Sequence, residues 1–303
     1  MNTRRNFLKT TALGAAASAF PKLVSAAPAT VGATQFAVFT KHFIGLSYDQ
    51  LADTLAECGI TAIEAPVRPK GGTHVEMEKV TDELPKFAEA LKKRGIKIAV
   101  LTSGINAVSR EQHTESVLRT AKALGIPRFR MDWFPYDFKK PIWSQLDELK
   151  PKLNELVAFS KEVGIQPCYQ NHSGSKNIGS AIWDMDYLMR DYKPSELAWC
   201  FDIMHANIEG QMSWPIEVNL VHEHIGVAYF KNIRWTTSGH EVAPLGEGVV
   251  KKDYVDLLKK LNWSGPVSLH IEYLKGTMKD EGYLKEAIAA TKRDMEVLKS
   301  WWA

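Results

Sequence analysis

The most informative feature of this sequence is a short unit that recurs four times along the chain. In each copy an amphipathic segment ends in glycine and a short apolar run follows, at Gly59-Ile60, Gly95-Ile96, Gly125-Ile126 and Gly164-Ile165. Glycine directly after a helix adopts the left-handed conformation that ends it, and the β-branched residue then begins a strand. The copies are 36, 30 and 39 residues apart, which is the length of one strand followed by one helix. The repeat therefore predicts alternating helices and parallel strands.

Apolar runs with less regular boundaries extend this pattern to eight strands. We predict these strands at 35–39, 60–65, 96–101, 127–132, 165–171, 197–202, 226–231 and 266–272. The matching helices are predicted near 47–58, 79–94, 110–124, 145–163, 181–191, 214–223, 253–262 and 280–300. Eight such pairs predict an α/β protein built as a single (β/α)8 TIM barrel. The alternative is an open doubly wound sheet, but the first strand–helix turn, at 40–46, lacks the glycine-rich phosphate-binding pattern of that fold.

The N-terminal segment is typical of an export signal. The pair Arg4-Arg5 is followed by Phe7-Leu8-Lys9, an apolar run of small residues at 10–20 and a cleavage pattern that ends at Ala26. This arrangement resembles bacterial twin-arginine signals, with an ordinary secretory signal as the alternative. The run is too short to span a bilayer, so we expect no stable membrane insertion. We predict a signal peptide at 1–26, a barrel domain at 27–303, and a periplasmic or secreted protein.

Charge and cysteine content exclude several classes of protein. The full chain carries a net charge of +3, and removal of the signal leaves 34 basic against 35 acidic residues. No basic stripe remains to follow a phosphate backbone, so we expect no nucleic-acid partner, and an endonuclease is disfavoured. The three cysteines are widely spaced, and Cys168 and Cys200 lie in apolar strand-like runs. We therefore predict buried thiols rather than disulfides or nucleophiles.

The predicted strand ends carry an unusual number of polar side chains. Active sites of (β/α)8 barrels lie at the C-terminal ends of the strands, so residues there are the candidates for function. Five of the nine histidines fall at or just past predicted strand ends. The candidates that we select at these positions are Arg68, His74, Gln170, His172, Asp202, His205, Lys231, Trp235, His270 and Glu272.

Chemical type suggests a role for several of these side chains. Asp202 ends an apolar strand and needs a cation or hydrogen-bond donors if it is buried. His172 and His270 titrate near neutral pH and are candidate acid–base groups. Lys231 is a donor to a substrate oxyanion or a partner of Glu272. The remaining polar candidates are assigned to substrate binding, and Trp235 to stacking on a sugar ring.

Ordered along the chain, several short motifs resemble the sugar phosphate isomerase/epimerase family, whose barrel is xylose isomerase-like. They are Arg68-Pro69-Lys70-Gly71-Gly72 with His74-Val75, Gln170-Asn171-His172-Ser173-Gly174, Asp202 with His205-Ala206, Leu245-Gly246-Glu247-Gly248, and Gly265-Pro266-Val267-Ser268-Leu269-His270. The resemblance covers nearly the whole mature chain. It implies a TIM barrel that acts on sugars, and His205 matches a substrate-binding histidine of the family.

The resemblance also implies a divalent metal, with manganese preferred and zinc or iron as alternatives. In the family a Glu, an Asp, a His and a second Glu hold it. The Asp corresponds to Asp202, the first Glu to Gln170, the His to Tyr229, and the second Glu to His270, or to Glu272 with a two-residue shift. The standard four-ligand set is therefore not intact. A rearranged site of Asp202, His270, Glu272 and Gln170 is one expectation, and a pocket that works without metal is the other.

These observations give two competing functions. The first is an isomerase, epimerase or lyase-like enzyme that removes a proton next to the carbonyl of a non-phosphorylated sugar, in keto or glycosidic form. In this hypothesis His270 is the leading base, with Lys231 and His172 supplying charge and acid–base capacity. The second is a non-catalytic or metal-free carbohydrate-binding barrel. We also expect a homo-oligomer, paired through loops and the C-terminal Trp301-Trp302.

Overall fold

A computed structural model of the protein describes residues 34–303. The predicted signal peptide lies outside the described residues. The strands are β1 (Phe36–Phe39), β2 (Ala62–Arg68), β3 (Val75–Glu76), β4 (Lys97–Thr102), β5 (Arg128–Arg130), β6 (Gln166–Gln170), β7 (Ala198–Asp202), β8 (Ile225–Phe230), β9 (Asn232–Thr236), β10 (Gly239–Ala243) and β11 (Val267–Leu269). The helices are α1 (Tyr48–Glu57), α2 (Val80–Lys92), α3 (Thr114–Ala123), α4 (Ile142–Val163), α5 (Trp183–Met189), α6 (Ile203–Gly210), α7 (Trp214–Val221), α8 (Lys252–Lys260) and α9 (Tyr283–Trp302).

Eight of these strands form a closed parallel barrel. Its order is β1, β2, β4, β5, β6, β7, β8 and β11, and β11 pairs back onto β1 through Phe36 opposite Val267. Helices pack around this sheet, which confirms the predicted single (β/α)8 TIM barrel. Because the strands are parallel, all of their C-terminal ends meet at one end of the barrel. We call that end the cup.

The four glycines of the repeat adopt the backbone conformation that the sequence predicts. Gly59, Gly95, Gly125 and Gly164 have φ angles of 68°, 71°, 76° and 80°, in the left-handed region that follows a helix. Local sequence therefore ends these four helices, and the isoleucine after each glycine is buried one or two residues before the next strand.

The structure corrects the sequence prediction in three places. Helix α6 follows β7 directly and is absent from the predicted helices, and the hairpin of β9 and β10 occupies a stretch for which no strand is predicted. The strand predicted at 266–272 is regular only over Val267–Leu269. Trp301 and Trp302 are partly exposed, with both rings packed on Phe230 and Trp302 also on Phe36, and the predicted pairing through them stays a prediction.

The thiols are buried or partly buried, as expected. Cys168 and Cys200 lie on neighbouring barrel strands and are buried, and Cys58 is half-buried. All three are free. The core is continuous between the sheet and the surrounding helices, with Trp199, Tyr169 and Tyr254 among its largest fully buried side chains.

One buried carboxyl group in the outer layer gives a prediction about stability. Glu217 on α7 is 5% exposed, and its Oε2 is buried without a hydrogen-bond partner. Burial, and then the nearby Glu209, raises the pKa of Glu217 to about 7 from an ordinary 4.5. The folded chain therefore holds a proton that the unfolded chain has lost, and stability falls as the pH rises from 4.5 to about 7.

We expect Glu217→Gln to stabilise the fold by about 2 kcal/mol at about pH 8 and by much less at about pH 5, because the amide has no proton to lose. Urea unfolding at the two pH values measures this difference. The exposed Glu223→Gln is the control and should change stability little at either pH. An equal effect of Glu217→Gln on stability at the two pH values would contradict the raised pKa of Glu217.

Candidate active site

Asp202 is the buried anion at the end of β7, and the chain turns into α6 around it. It is 0% exposed, and its Oδ1 accepts hydrogen bonds from the backbone N–H groups of Met204 and His205 at 3.1 and 3.3 Å. It is therefore the N-cap of α6, which explains why a carboxylate stands at this position. The same cap fixes where His205 lies relative to the carboxylate.

Lys231 brings a positive charge to this anion from the end of β8. Its Nζ lies 3.3 Å from Asp202 Oδ2 and 3.2 Å from Glu272 Oε2, and the residue is 4% exposed. Burial alone would lower the pKa of Lys231, but Asp202 and Glu272 outweigh it and raise that pKa above its ordinary value. Burial would likewise raise the pKa of Glu272, yet Lys231 holds it at about 2. Lys231 and Glu272 are therefore charged together at neutral pH.

Gln170 connects this ion pair to a second charge on β5. Its Nε2 donates to Asp202 Oδ2 at 2.7 Å, and its Oε1 accepts from Arg130 Nη1 at 2.7 Å. A carboxylate can only accept and a guanidinium can only donate, so the orientation of the amide is fixed by its neighbours. Gln170 therefore links two buried charged side chains through one hydrogen bond to each.

Glu64 on β2 is the other buried anion of the cup. It accepts hydrogen bonds from Tyr229 OH at 2.9 Å, from Ser268 Oγ at 2.7 Å, from His270 Nε2 at 2.9 Å and from Thr102 Oγ1. Burial would raise its pKa, but the neighbouring His270, with Arg130 and these donors, lowers that pKa to about 2. A carboxylate with this many donors is ionised and held in one position.

His270 is turned toward Glu64 and away from solvent. It is 2% exposed, and its ring packs between Phe39 and Tyr229 at centroid distances of 4.8 and 4.4 Å. Since the ionised carboxylate of Glu64 only accepts, Nε2 carries the proton of this pair, and Nδ1 is buried without a hydrogen-bond partner.

Two imidazole rings in tilted contact lie beside the Asp202–Lys231 pair. The rings of His172 and His205 are 3.8 Å apart, and Trp133 packs on His172 at 4.4 Å. His172 Nδ1 donates to the carbonyl oxygen of Ser173 at 2.9 Å, so the lone pair of the neutral ring lies on Nε2. Burial, and then the charge of Lys231, lowers the pKa of His172. The same causes lower that of His205 further.

The remaining candidates are distributed around the cup. Arg68 is partly exposed and lies over the ring of Phe39 at 5.5 Å, and burial and Arg130 lower its pKa to about 10. His74 Nε2 is bound to the carbonyl and hydroxyl oxygens of Thr40, and burial lowers its pKa to about 4. Trp235 lies on the β9–β10 hairpin, where it packs on His240, apart from the buried charges.

The chain of contacts therefore runs across the whole cup. From one side to the other its members are His270, Glu64, Arg130, Gln170, Asp202, Lys231 and Glu272. The side chain of Glu272 is 27% exposed and brings this chain of charges to the surface of the cup. Asp202 and His270 thus share one end of the barrel, but both are buried, and the partly exposed groups around them are the ones a ligand meets first.

The predicted metal-ligand set is not assembled by this arrangement. Asp202 and Glu272 face the ammonium of Lys231, the amide of Gln170 offers Asp202 its N–H, and His270 faces Glu64 instead. Within residues 34–303 no group of three or more His, Cys, Asp or Glu side chains is placed to hold a metal ion. Divalent cations bind through carboxylate oxygens and imidazole lone pairs, so these residues do not fit one as they stand.

Sequence reasoning undervalued two residues of the site. Glu64 and Arg130 stand out only as charged residues within apolar strands, and both are central to the network. A charge inside a barrel strand is costly to bury alone, so its presence is the signal that a partner lies across the barrel. Sequence cannot identify that partner, since Glu64 and His270 are 206 residues apart.

Comparison with known sequences agrees with this architecture. Residues 52–301 match the sequence family described as xylose isomerase-like TIM barrel. The chain belongs to that family. Residues 1–21 match the family of twin-arginine translocation pathway signal sequences. Among residues 34–303 no helix has the length and apolar character needed to cross a membrane. No curated protein matches the chain in a sequence search.

Solved structures share the fold at low sequence identity. A D-tagatose 3-epimerase-like protein is 17% identical, with a TM-score of 0.68 over 89% of this chain and 97% of that chain. The probable 3-DHS dehydratase AsbF of Bacillus anthracis is 14% identical, with a TM-score of 0.67 over 88% and 99%. The 3-keto-D-glucoside 4-epimerase YcjR of E. coli is 12% identical, with a TM-score of 0.63 over 87% and 99%. These similarities establish the fold alone.

Proposed function

We propose that the protein is a sugar isomerase- or epimerase-type enzyme that removes a proton from the carbon next to a carbonyl group. One observation carries the proposal: a neutral imidazole with its lone pair on Nε2, that of His172, lies in the same cup as the buried ammonium of Lys231. A base and a fixed positive charge are the two groups that enolisation needs. Membership in the family and structural neighbours named as sugar epimerases and a dehydratase support this class of reaction.

The proposed step assigns one task to each group. His172 Nε2 takes the proton, the electron pair of the broken C–H bond forms a C=C bond, and the carbonyl oxygen becomes an enolate oxygen. Lys231 stabilises that oxygen, and Asp202 and Glu272 hold the ammonium in position. Delivery of a proton to the opposite face by a second acid, with solvent taking the proton from His172, gives an epimer. Return of the proton to the former carbonyl carbon gives an isomer, provided that the hydroxyl on the deprotonated carbon passes its own proton to the enolate oxygen and becomes the new carbonyl. Re-formation of the carbonyl with loss of a leaving group β to it gives elimination, and the proton on His172 is released to solvent.

The substrate class follows from the export signal and the site. The match to a twin-arginine signal supports export to the periplasm or outside the cell, where phosphorylated intermediates of the cytoplasm are absent. We therefore propose a non-phosphorylated sugar, in keto or glycosidic form, as the substrate. His205, Gln170, Arg68 and His74 are the proposed binding residues around it, with Trp235 on the outer hairpin.

His172 replaces His270 as the leading base in this proposal. A base must reach the substrate, and His172 is partly exposed, whereas Nδ1 of His270 is buried and its Nε2 is committed to Glu64. The expectation that His270 is essential remains a prediction, and the experiment below includes it.

The test is proton exchange in D₂O, followed by NMR with a panel of ketohexoses and 3-keto-glucosides. We expect exchange at the carbon next to the carbonyl, and we expect His172→Gln to slow it by about 100- to 10,000-fold without changing the melting temperature. The partly exposed His222→Gln, just before the N-terminal end of β8 and so at the opposite end of the barrel from the cup, is the matched control and should exchange at the rate of the parent protein.

Two outcomes would contradict the proposal. Full exchange activity in His172→Gln together with its loss in His270→Ala would return the role of base to His270. Binding of these sugars without exchange at any carbon would favour the non-catalytic carbohydrate-binding barrel instead.

A further inference from the structure

The two carboxylates best placed to hold a cation in this cup already share one. Asp202 Oδ2 and Glu272 Oε2 lie 3.3 and 3.2 Å from the same atom, Nζ of Lys231. The ammonium is a compact charge with three protons, and here it is almost fully removed from solvent. A cation from solution would have to displace a covalently tethered one.

The remaining bonds of Asp202 leave little capacity for a further ligand. Oδ1 accepts from two backbone N–H groups at the start of α6, and Oδ2 accepts from Gln170 in addition to facing Lys231. For Gln170 to bind a metal, its carbonyl oxygen would have to turn toward Asp202. That turn would break the bond to Asp202 and place the NH₂ group against Arg130, which also only donates.

The charges in the cup also disfavour binding of a divalent metal ion. Arg130 Nη1 lies 3.8 Å from Glu64 Oε1, and Lys231 and Arg130 are linked through Asp202 and Gln170. The buried or partly buried carboxylates Glu64, Asp202 and Glu272 already face these two cations, and Glu64 also accepts a hydrogen bond from His270. A divalent ion added between Asp202 and Glu272 would meet the ammonium at close range and be repelled.

We infer that Lys231 stands in for the divalent cation in this chain, and that the enzyme works without a metal ion. The inference rests on the proposed function for the identity of the oxyanion that Lys231 stabilises. It also explains the departures from the four-ligand pattern together. Gln170 donates a hydrogen bond that orients Asp202. Tyr229 and His270 each donate a hydrogen bond to Glu64. None of Gln170, Tyr229 and His270 is therefore required as a metal ligand.

The first test measures metal directly and needs no substrate. The mature chain, purified without chelator, is expected to contain far less than one equivalent of manganese, zinc or iron by mass spectrometry. Its melting temperature should be unchanged by MnCl₂ or by EDTA, because a ligand that binds the folded state raises that temperature. One tightly held ion per chain, or destabilisation by EDTA, would overturn the inference.

The second test concerns the charge itself. We expect Lys231→Met to slow proton exchange by about 100- to 1000-fold, Lys231→Arg to retain part of the rate, and the exposed Lys275→Met to retain all of it. Exchange is measured below the melting temperature of each variant, with circular dichroism to confirm folding. An unchanged rate in folded Lys231→Met, or faster exchange by the parent protein when MnCl₂ is added, would refute the role of Lys231.

The two proposals fail in different ways. Suppose that the protein contains no metal, has the same melting temperature with EDTA and exchanges no proton. This result would contradict the proposed enzyme but would agree with the inference that Lys231 replaces the metal ion. A protein that exchanges protons only with bound manganese would support the enzyme and overturn the inference about Lys231.

Discussion

Replacing Asp202 with alanine is expected to lower the free energy of unfolding by about 3–5 kcal/mol. The substitution leaves the ammonium of Lys231 buried with one partner, Glu272, and removes the acceptor of Gln170 Nε2. It also removes the N-cap of α6, which is worth about 1 kcal/mol by itself. The loss is large because a charge left unpaired in the interior costs more than the pair contributes.

The matched variant is Asp202→Asn, which keeps an oxygen for the two backbone N–H groups, removes the charge and turns an NH₂ group toward the donors Gln170 Nε2 and Lys231 Nζ. We expect it to lose less stability than Asp202→Ala, because the cap of α6 is kept. Urea unfolding of both variants and of the double variant Asp202→Ala with Lys231→Met completes the comparison. The double variant should lose less stability than the sum of the two single losses, because each single change leaves the other charge without its partner. Simple additivity would show that the two groups are not paired in solution.

The fold could be predicted because its main signals are local. Gly59, Gly95, Gly125 and Gly164 each end a helix through their own backbone conformation, and the apolar run after each begins a strand. Helix α6 was missed because Asp202 was considered only as a functional carboxylate. Its second task, capping the helix that begins at the next residue, follows from the same side chain.

The site could be located from the sequence, but its pairs could not. The polar residues at the strand ends do meet at one end of the barrel, because parallel strands bring their C-terminal ends together. Which residue contacts which depends on barrel closure and on side-chain length. Lys231 reaches back to Asp202 on the neighbouring strand, while His270 turns inward to Glu64 rather than toward Asp202. The metal-ligand prediction assumes that side chains at matching positions point at one shared place, and in this structure Asp202 and His270 point to different partners.

The second large effect is expected at Glu64. Replacing it with glutamine should lower the free energy of unfolding by about 3–5 kcal/mol at about pH 7. An amide puts an NH₂ group among side chains that donate hydrogen bonds, those of Thr102, Tyr229, Ser268 and His270, and it removes the negative charge that faces Arg130. Part of the network is then left without acceptors in the interior.

The pH dependence of this loss distinguishes the charge of Glu64 from its shape. The folded-state pKa of Glu64 is about 2, below its ordinary 4.5, so its stabilisation is present above 4.5 and is lost as the pH falls toward 2. The difference in unfolding free energy between the parent and Glu64→Gln should therefore shrink by about 2 kcal/mol between about pH 7 and about pH 3. Urea unfolding at both values measures it. A difference that stays constant over this range would mean that Glu64 stabilises the barrel through packing and neutral hydrogen bonds, and that the charged network across the cup does not depend on its ionisation.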